Sequence, residues 1–132
     1  METESPFQAS RSPSWEKRRA AAWSLGELLP DPAALECLFG LLDDEDTAVE
    51  QDVAEVLVRR GGRAGLSAVL SNLGQRVDDP DADYIAYRLR ELQLFEEVPV
   101  LQTARQVGDQ NASSEIRDGL RQLEELFGSD IP

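Results

Sequence analysis

The sequence contains no histidine, and this absence excludes several classes of function. Without an imidazole, the chain lacks the usual general base near neutral pH and the commonest ligand of transition metals. A Ser-His-Asp or Cys-His catalytic arrangement therefore cannot form. The single cysteine, Cys37, has no partner for an internal disulfide and cannot make a zinc site alone. It falls in the apolar register of a helix, so we expect an inert core thiol.

Long apolar runs and nucleotide-binding motifs are missing as well. No stretch approaches the roughly 20 apolar residues of a transmembrane helix, and the N-terminus does not resemble a secretory signal. Residues 79–83 begin like a calcium-binding loop, but Tyr84 stands where the turn requires glycine and Arg90 where a bidentate glutamate belongs. We therefore expect a cytoplasmic chain that is not an enzyme and has no catalytic residues, no cofactor and no metal.

Basic residues are few. The 13 Lys and Arg stand against 26 Asp and Glu, which gives a formal net charge of −13. Such a charge repels nucleic acid and anionic membranes and accelerates the encounter with basic proteins. We expect no nucleic-acid or membrane partner. In a second interpretation, the acidity only keeps the protein soluble.

What the sequence does contain is a helical pattern with a period of about 32 residues. Alanine and leucine recur three residues apart in three copies, with a looser fourth copy: Ala22 and Leu25, Ala54 and Leu57, Ala86 and Leu89, then Leu120 and Leu123. A second helix type repeats between them, at Leu35, Leu66 and Val98. Two interleaved helix types with a common period indicate stacked helical hairpins.

The pattern divides the chain into three parts. Residues 1–13 are rich in Ser and Pro with little periodicity, and predict a disordered leader. Residues 14–127 predict about seven helices, the first over 14–29 and the fourth over 63–77, with Val77 on the buried face of the fourth. Residues 128–132 are expected to be a C-terminal tail.

The first repeated helix resembles the second helix of HEAT-like repeats of the phycocyanobilin-lyase type. The matching residues are Arg18, Ala21, Ala22, Leu25, Gly26 and Leu28, followed by Asp31-Pro32. The resemblance implies an all-α fold: a short right-handed α-solenoid of about three and a half HEAT-like hairpins over residues 14–127. Glu50 and Ala82 stand where these repeats usually have arginine, so we expect the ionic link between repeats to be lost there.

In a solenoid, the second helices of the hairpins line one face, usually the concave one, where partners bind. The positions between the apolar ones should point outward and place aromatic residues among acids, an arrangement typical of binding hot spots. The predicted partner-binding residues are Trp23, Glu27, Asp52, Glu55, Asp83, Tyr84, Tyr87 and Glu91. Alternatively, the aromatic residues cover the edge of the core and the acids form a solvated face.

We therefore expect a monomeric, non-enzymatic module that binds a basic protein partner in an acidic concave groove. A sharper version is a bacterial immunity protein that inhibits a basic toxin or nuclease. One alternative is a scaffold or regulatory subunit that stacks through an exposed apolar rim at Leu123, Leu126 and Phe127. Another, which the resemblance implies, is a bilin-lyase-like enzyme or ligand chaperone with Cys37 as its reactive group.

Overall fold

A computed structural model describes residues 4–108 and 111–130. Within these residues every regular element is helical, and the chain forms a short all-α solenoid, as the sequence predicted. Eight α-helices follow one another: α1 (Pro6–Ala9), α2 (Trp15–Glu27), α3 (Pro32–Leu41), α4 (Thr47–Arg60), α5 (Gly62–Gln75), α6 (Ala82–Phe95), α7 (Val100–Gly108) and α8 (Ser114–Phe127). A 3-10 turn, Gly128–Asp130, occupies most of the expected tail, whose last two residues lie outside the described ones.

The leader expected to be disordered contains α1. Ser5 caps this helix, since its hydroxyl accepts from the Gln8 N–H while the Gln8 side chain accepts from the Ser5 N–H. Phe7 packs against the core, and Ser10 is buried with its hydroxyl donating to the Phe7 carbonyl. The prediction of disorder relied on composition and low periodicity, and neither of these signals detects a capping box. Residues 1–3 lie outside the described part.

Two layers of helices build the solenoid. α2, α4 and α6 pack side by side, and α3, α5 and α7 form the layer behind them. The core between the layers is aliphatic, and Leu25, Leu57 and Leu89, which the period places in register, are all fully buried. The repeat in the sequence therefore marks equivalent core positions.

An ionic link joins the first two repeats. Arg18 on α2 makes a bidentate salt bridge with Asp44 in the loop before α4, at 2.8 and 3.1 Å. One repeat period further along the chain, Glu50 on α4 pairs with Arg76, which follows α5, at 2.8 Å. The expectation that Glu50 breaks the link is wrong, because acid and base have exchanged places. At the third copy Ala82 is fully buried, and apolar packing replaces the ion pair.

Glu50 is the less well accommodated member of the inverted pair. It is only 2% exposed, and its Oε2 atom is buried without a hydrogen bond. Burial raises the pKa of Glu50 to about 7, although Arg76 opposes the shift. Arg76 also donates hydrogen bonds to the Leu42 carbonyl, to Asn72 and to Asp79. Only some of the N–H groups of Arg76 are therefore left for Glu50.

Arg76 also ends α5 earlier than the periodicity predicted. The helix stops at Gln75, where Arg76 leaves helical geometry with φ −118° and ψ 37°. Val77, assigned to the buried face of this helix, lies beyond it and is 57% exposed. That assignment is therefore wrong.

The last helix departs from the repeat. α8 makes its most extensive contact with α5 and much less contact with α6. Glycines allow the two antiparallel backbones to touch, since a Cβ on Gly119 would collide with the Leu70 carbonyl oxygen and one on Gly74 with that of Glu115. α8 therefore crosses α5 more closely than side chains on both helices would permit.

This packing removes the exposed apolar rim expected at the end of the chain. Leu123 and Phe127 are fully buried, and Leu126 packs partly buried against the core. An interface for stacking copies of the chain through these three residues is therefore not available in the fold.

We expect Gly119→Ala to lower the free energy of unfolding by about 2–3 kcal/mol, because the added methyl group would overlap backbone that cannot move freely. The matched control is Gly40→Ala in α3, where a Cβ meets nothing within 4 Å. The control should raise stability by up to about 1 kcal/mol through helix propensity. Urea unfolding measures both, and equal stabilities of the two variants would contradict the close α5–α8 contact.

Glu50 should make the protein less stable as the pH rises. Its pKa is about 7 in the folded chain against 4.5 normally, so between these values the folded state retains a proton that the unfolded state has lost. The free energy of unfolding should therefore fall by up to about 3 kcal/mol across this window. Glu50→Gln should remove this loss, while Glu36→Gln, an exposed change on α3, should not. Urea midpoints at pH 5 and pH 8 test this; equal losses in wild type and Glu50→Gln would disprove it.

Candidate functional site

Neither a metal-ligand cluster nor a membrane-spanning helix occurs among residues 4–108 and 111–130. No group of three or more His, Cys, Asp or Glu side chains is placed to hold an ion. No helix among them is long and apolar enough to cross a bilayer. Cys37 is partly buried against the core, and its Sγ lies 3.3 Å from the Ser10 hydroxyl.

The predicted partner-binding residues lie on α2, α4 and α6. The side chains that these helices present on one side form a continuous surface, called here the α2–α4–α6 face. Its members are Arg19, Trp23 and Glu27 on α2, Asp52, Glu55 and Arg59 on α4, and Asp83, Tyr84, Tyr87, Arg88 and Glu91 on α6.

Asp52 does not point outward, as the sequence had predicted, but is only 3% exposed. Arg19 donates to its Oδ2 atom through Nε, and Trp23 donates to the same oxygen through Nε1 at 2.9 Å. Arg88 donates to Oδ1 at 3.0 Å. Donors from both neighbouring helices therefore hold this carboxylate in place.

The pKa of Asp52 reflects these donors. Burial alone would raise it, but the hydrogen bonds from Arg19, Trp23 and Arg88 outweigh burial, and the pKa lies below its ordinary value. A carboxylate that accepts several charged hydrogen bonds is stabilised in its ionised form. Asp52 is therefore a structural anion and is not available to a partner.

Glu55 is held in the same way. Its Oε1 accepts from Arg88 at 2.9 Å, and its Oε2 accepts from Arg59, one turn along α4, at 2.8 Å. Two carboxylates and three arginines thus form one network at the centre of the face. The centre is compensated in charge, so the predicted acidic groove is not acidic there.

The aromatic residues of the face divide into two kinds. Trp23 is half-buried and bound to Asp52, so it belongs to the network. Tyr84 and Tyr87 are 48% and 50% exposed and present their rings to solvent. Only the tyrosines therefore have the exposure expected of binding anchors.

Three predicted acids retain free charge. Glu27, Asp83 and Glu91 are exposed, and none of them takes part in a salt bridge between described residues. Asp83 and Glu91 lie one turn before and after Tyr87 on α6. The free negative charge of the face is therefore concentrated around the exposed tyrosines.

The repeat pattern of the sequence does not identify the arginines as the compensating groups. Arg19, Arg59 and Arg88 were not among the predicted partner-binding residues, and no carboxylate was assigned to them. The sequence did contain a signal for this role of Arg88. Arg88 follows Tyr84 by one turn of α6, which places it beside Glu55 on the neighbouring helix. Recognising it requires the distance and rotation between α4 and α6, which the period alone does not give.

Three of the shallow pockets on the surface of the described residues are similar in size. One of about 330 Å³ lies between α4, α5 and α7 near Val58 and Pro99. Another of about 340 Å³ lies beside Trp15 and Trp23. The third, of about 380 Å³, separates α6 from α8 and includes Asp83 and Tyr87. It therefore connects the free part of the α2–α4–α6 face with the last helix.

Comparison with known proteins agrees with this architecture. The family described as HEAT repeats matches residues 4–93, more than half of the chain. No curated protein and no solved structure gives a match.

We expect Asp52→Asn to lower the free energy of unfolding by about 2–4 kcal/mol, because it leaves Arg19 and Arg88 without their shared carboxylate. Asp83→Asn, which removes an exposed acid that forms no salt bridge with a described residue, should change it by no more than about 0.5 kcal/mol. Urea unfolding of both variants at pH 7 measures the difference. A similar stability for the two would show that the network does not hold the helices together.

Proposed function

We propose a function from the premise that this chain belongs to the HEAT-repeat family, whose hairpins generally mediate protein–protein interaction or scaffolding. The chain is a monomeric, non-enzymatic module that binds a basic protein. It does so through Tyr84 and Tyr87 on α6 and the free carboxylates near them. The observation that carries the proposal is this pair of exposed tyrosines beside Asp83 and Glu91, which form no salt bridge with any described residue.

Exposed tyrosines are suited to this task. Their rings bury a large area with few rotatable bonds, and their hydroxyl groups can still form hydrogen bonds. Tyr84 and Tyr87 are three residues apart on one helix, so a single partner surface can contact both. Such residues are enriched among those that dominate binding energy.

The ionic network supports the same surface from below. Arg88 lies one turn beyond Tyr84 and connects α6 to Asp52 and Glu55 on α4. This connection fixes α6 in position before a partner arrives. A preorganised surface loses less conformational freedom on binding, and more of the contact energy appears as affinity.

Charge indicates what kind of partner fits. The net charge of −13 attracts basic proteins, and the free acids of the face direct that attraction to the tyrosines. In its sharper form, the proposal is an inhibitor or immunity protein in the bacterial cytoplasm that neutralises a basic toxin or nuclease. A negatively charged cover over a cationic active surface would suffice for inhibition.

The alternatives have less support. The scaffold hypothesis relied on a rim that is buried, as Leu123 and Phe127 show. The bilin-lyase-like hypothesis relied on Cys37, whose thiol lies against Ser10 at the edge of the core. We therefore favour binding over assembly or ligand transfer.

The proposal is tested by capturing partners from a lysate of the source cells at about 0.1 M and about 0.5 M salt. A face variant, Tyr84→Ala/Tyr87→Ala/Glu91→Gln, is compared with a matched control, Phe95→Ala/Glu36→Gln. All five residues are exposed, so both variants should fold, which thermal unfolding confirms. We expect wild type and control to capture the same basic protein, and the face variant to lose it.

Each result decides a part of the proposal. Weaker capture at high salt is expected, since exposed charge pairs are screened there. Equal capture by the face variant would show that another surface binds. An acidic partner, or capture that does not depend on salt, would show that the charge is not used for recognition.

A further inference from the structure

A groove separates α6 from α8. It exists because α8 packs on α5 through the glycine contact and makes much less contact with α6. Its volume of about 380 Å³ is typical of ligand clefts, which span roughly 300–1,000 Å³. The lining side chains are Val77, Asp83, Ala86 and Tyr87 on one side and Gln122, Glu125 and Leu126 on α8.

The floor of the groove is apolar. Ala86 is 6% exposed and Leu126 is partly buried against the core. Val77 and Tyr87 stand at the edge with 57% and 50% of their surface exposed. No element in the described part of the chain covers Val77 or Tyr87.

The rim of the groove is acidic. Asp83 on α6 and Glu125 on α8 are both exposed, and neither joins a salt bridge formed within residues 4–108 and 111–130. Gln122 donates its amide to the Leu73 carbonyl at 2.8 Å and is fixed in the wall. The charged groups of the groove are thus two carboxylates on opposite sides of an apolar floor.

We propose that this groove binds a basic amphipathic helix of a partner protein. The inference builds on the proposed function and names the site and the chemistry of the segment recognised. Apolar side chains of that helix would cover Val77, Tyr87 and Leu126. Its Lys or Arg side chains would reach Asp83 on one side and Glu125 on the other.

Shape and charge favour this occupant. The lining residues come from two neighbouring helices, with acids on both sides of an apolar floor, and an apolar groove is a surface that amphipathic helices bind. The two rim carboxylates oppose any anionic ligand. The net charge of −13 likewise opposes a second copy of this chain as the occupant.

The test uses synthetic peptides, so it does not depend on finding the partner. One peptide of about 18 residues has Leu on one helical face and Lys on the other, long enough to form a helix on binding. A second has the same composition in scrambled order. We expect the first to bind with a dissociation constant of about 10 μM or lower by calorimetry. It should shift the amide NMR signals of Asp83, Tyr87 and Leu126, and the scrambled peptide should bind at least tenfold more weakly.

A charge-reversed variant locates the binding. Val77→Lys/Glu125→Lys changes two exposed side chains of the groove, while the matched control Phe95→Lys/Glu36→Lys changes exposed ones elsewhere. The groove variant should bind the amphipathic peptide at least tenfold more weakly than wild type, and the control should bind within about twofold of it.

Three results would overturn the inference: no binding, equal binding of the scrambled peptide, or equal affinity of the groove variant and the control. None of these would refute the proposed function, because capture of a basic partner is measured separately with the Tyr84→Ala/Tyr87→Ala/Glu91→Gln variant. Conversely, if the peptide binds in the groove but no partner is captured, the inference about the groove holds and the proposed function is refuted.

Discussion

Placing carboxylates among packed helices is the constraint on which this fold depends. α4 lies at the centre of its layer and carries three acids, Glu50, Asp52 and Glu55, within two turns. An ionised carboxylate removed from water destabilises the fold unless cations and hydrogen-bond donors surround it. The donors come from elements on different sides of α4: Arg76 behind it, and Arg19 and Arg88 from the helices beside it. Satisfying these acids therefore fixes how α4 sits against its neighbours.

The same constraint has opposite outcomes at two positions only two residues apart. Asp52 has three donors, and its pKa is lowered. Ionised Asp52 stabilises the fold at pH values above 3.8, the ordinary pKa of an aspartate. This stabilisation is lost as the pH falls through the lower pKa that Asp52 has in the folded state. Glu50 keeps one buried oxygen without a partner, and its ionisation destabilises the fold above pH 4.5. The number of donors, rather than the depth of burial, decides which charge state the fold prefers.

Much of the fold could be predicted from the sequence, because the period reports burial directly. Leu25, Leu57 and Leu89 recur at one spacing and occupy equivalent core positions. Whether a polar position is buried or exposed could not be predicted in the same way. Asp52 and Asp83 both fall outside the apolar pattern, yet one is buried in a network and the other is exposed. Their difference depends on which arginine of another helix lies within reach, and that requires three-dimensional placement.

The last helix shows a second limit of reasoning from periodicity. The apolar pattern of α8 correctly predicted a helix, but its looser match to the repeat did not show where that helix would pack. The decisive residues, Gly74 and Gly119, contribute no side chain to a pattern, and their effect appears only when two backbones approach. Small residues that weaken a helix in isolation can thus determine where it docks.

Net charge is therefore an incomplete guide to where this protein can bind. Asp44, Glu50, Asp52 and Glu55 all add to the total of −13, but arginines of the same chain compensate them. The charge that a partner can use belongs to acids that packing leaves alone, such as Asp83 and Glu91. Because the compensated acids fix the helices on which the free ones stand, the two groups have distinct roles. One group sets the geometry of the surface, and the other sets what that surface attracts.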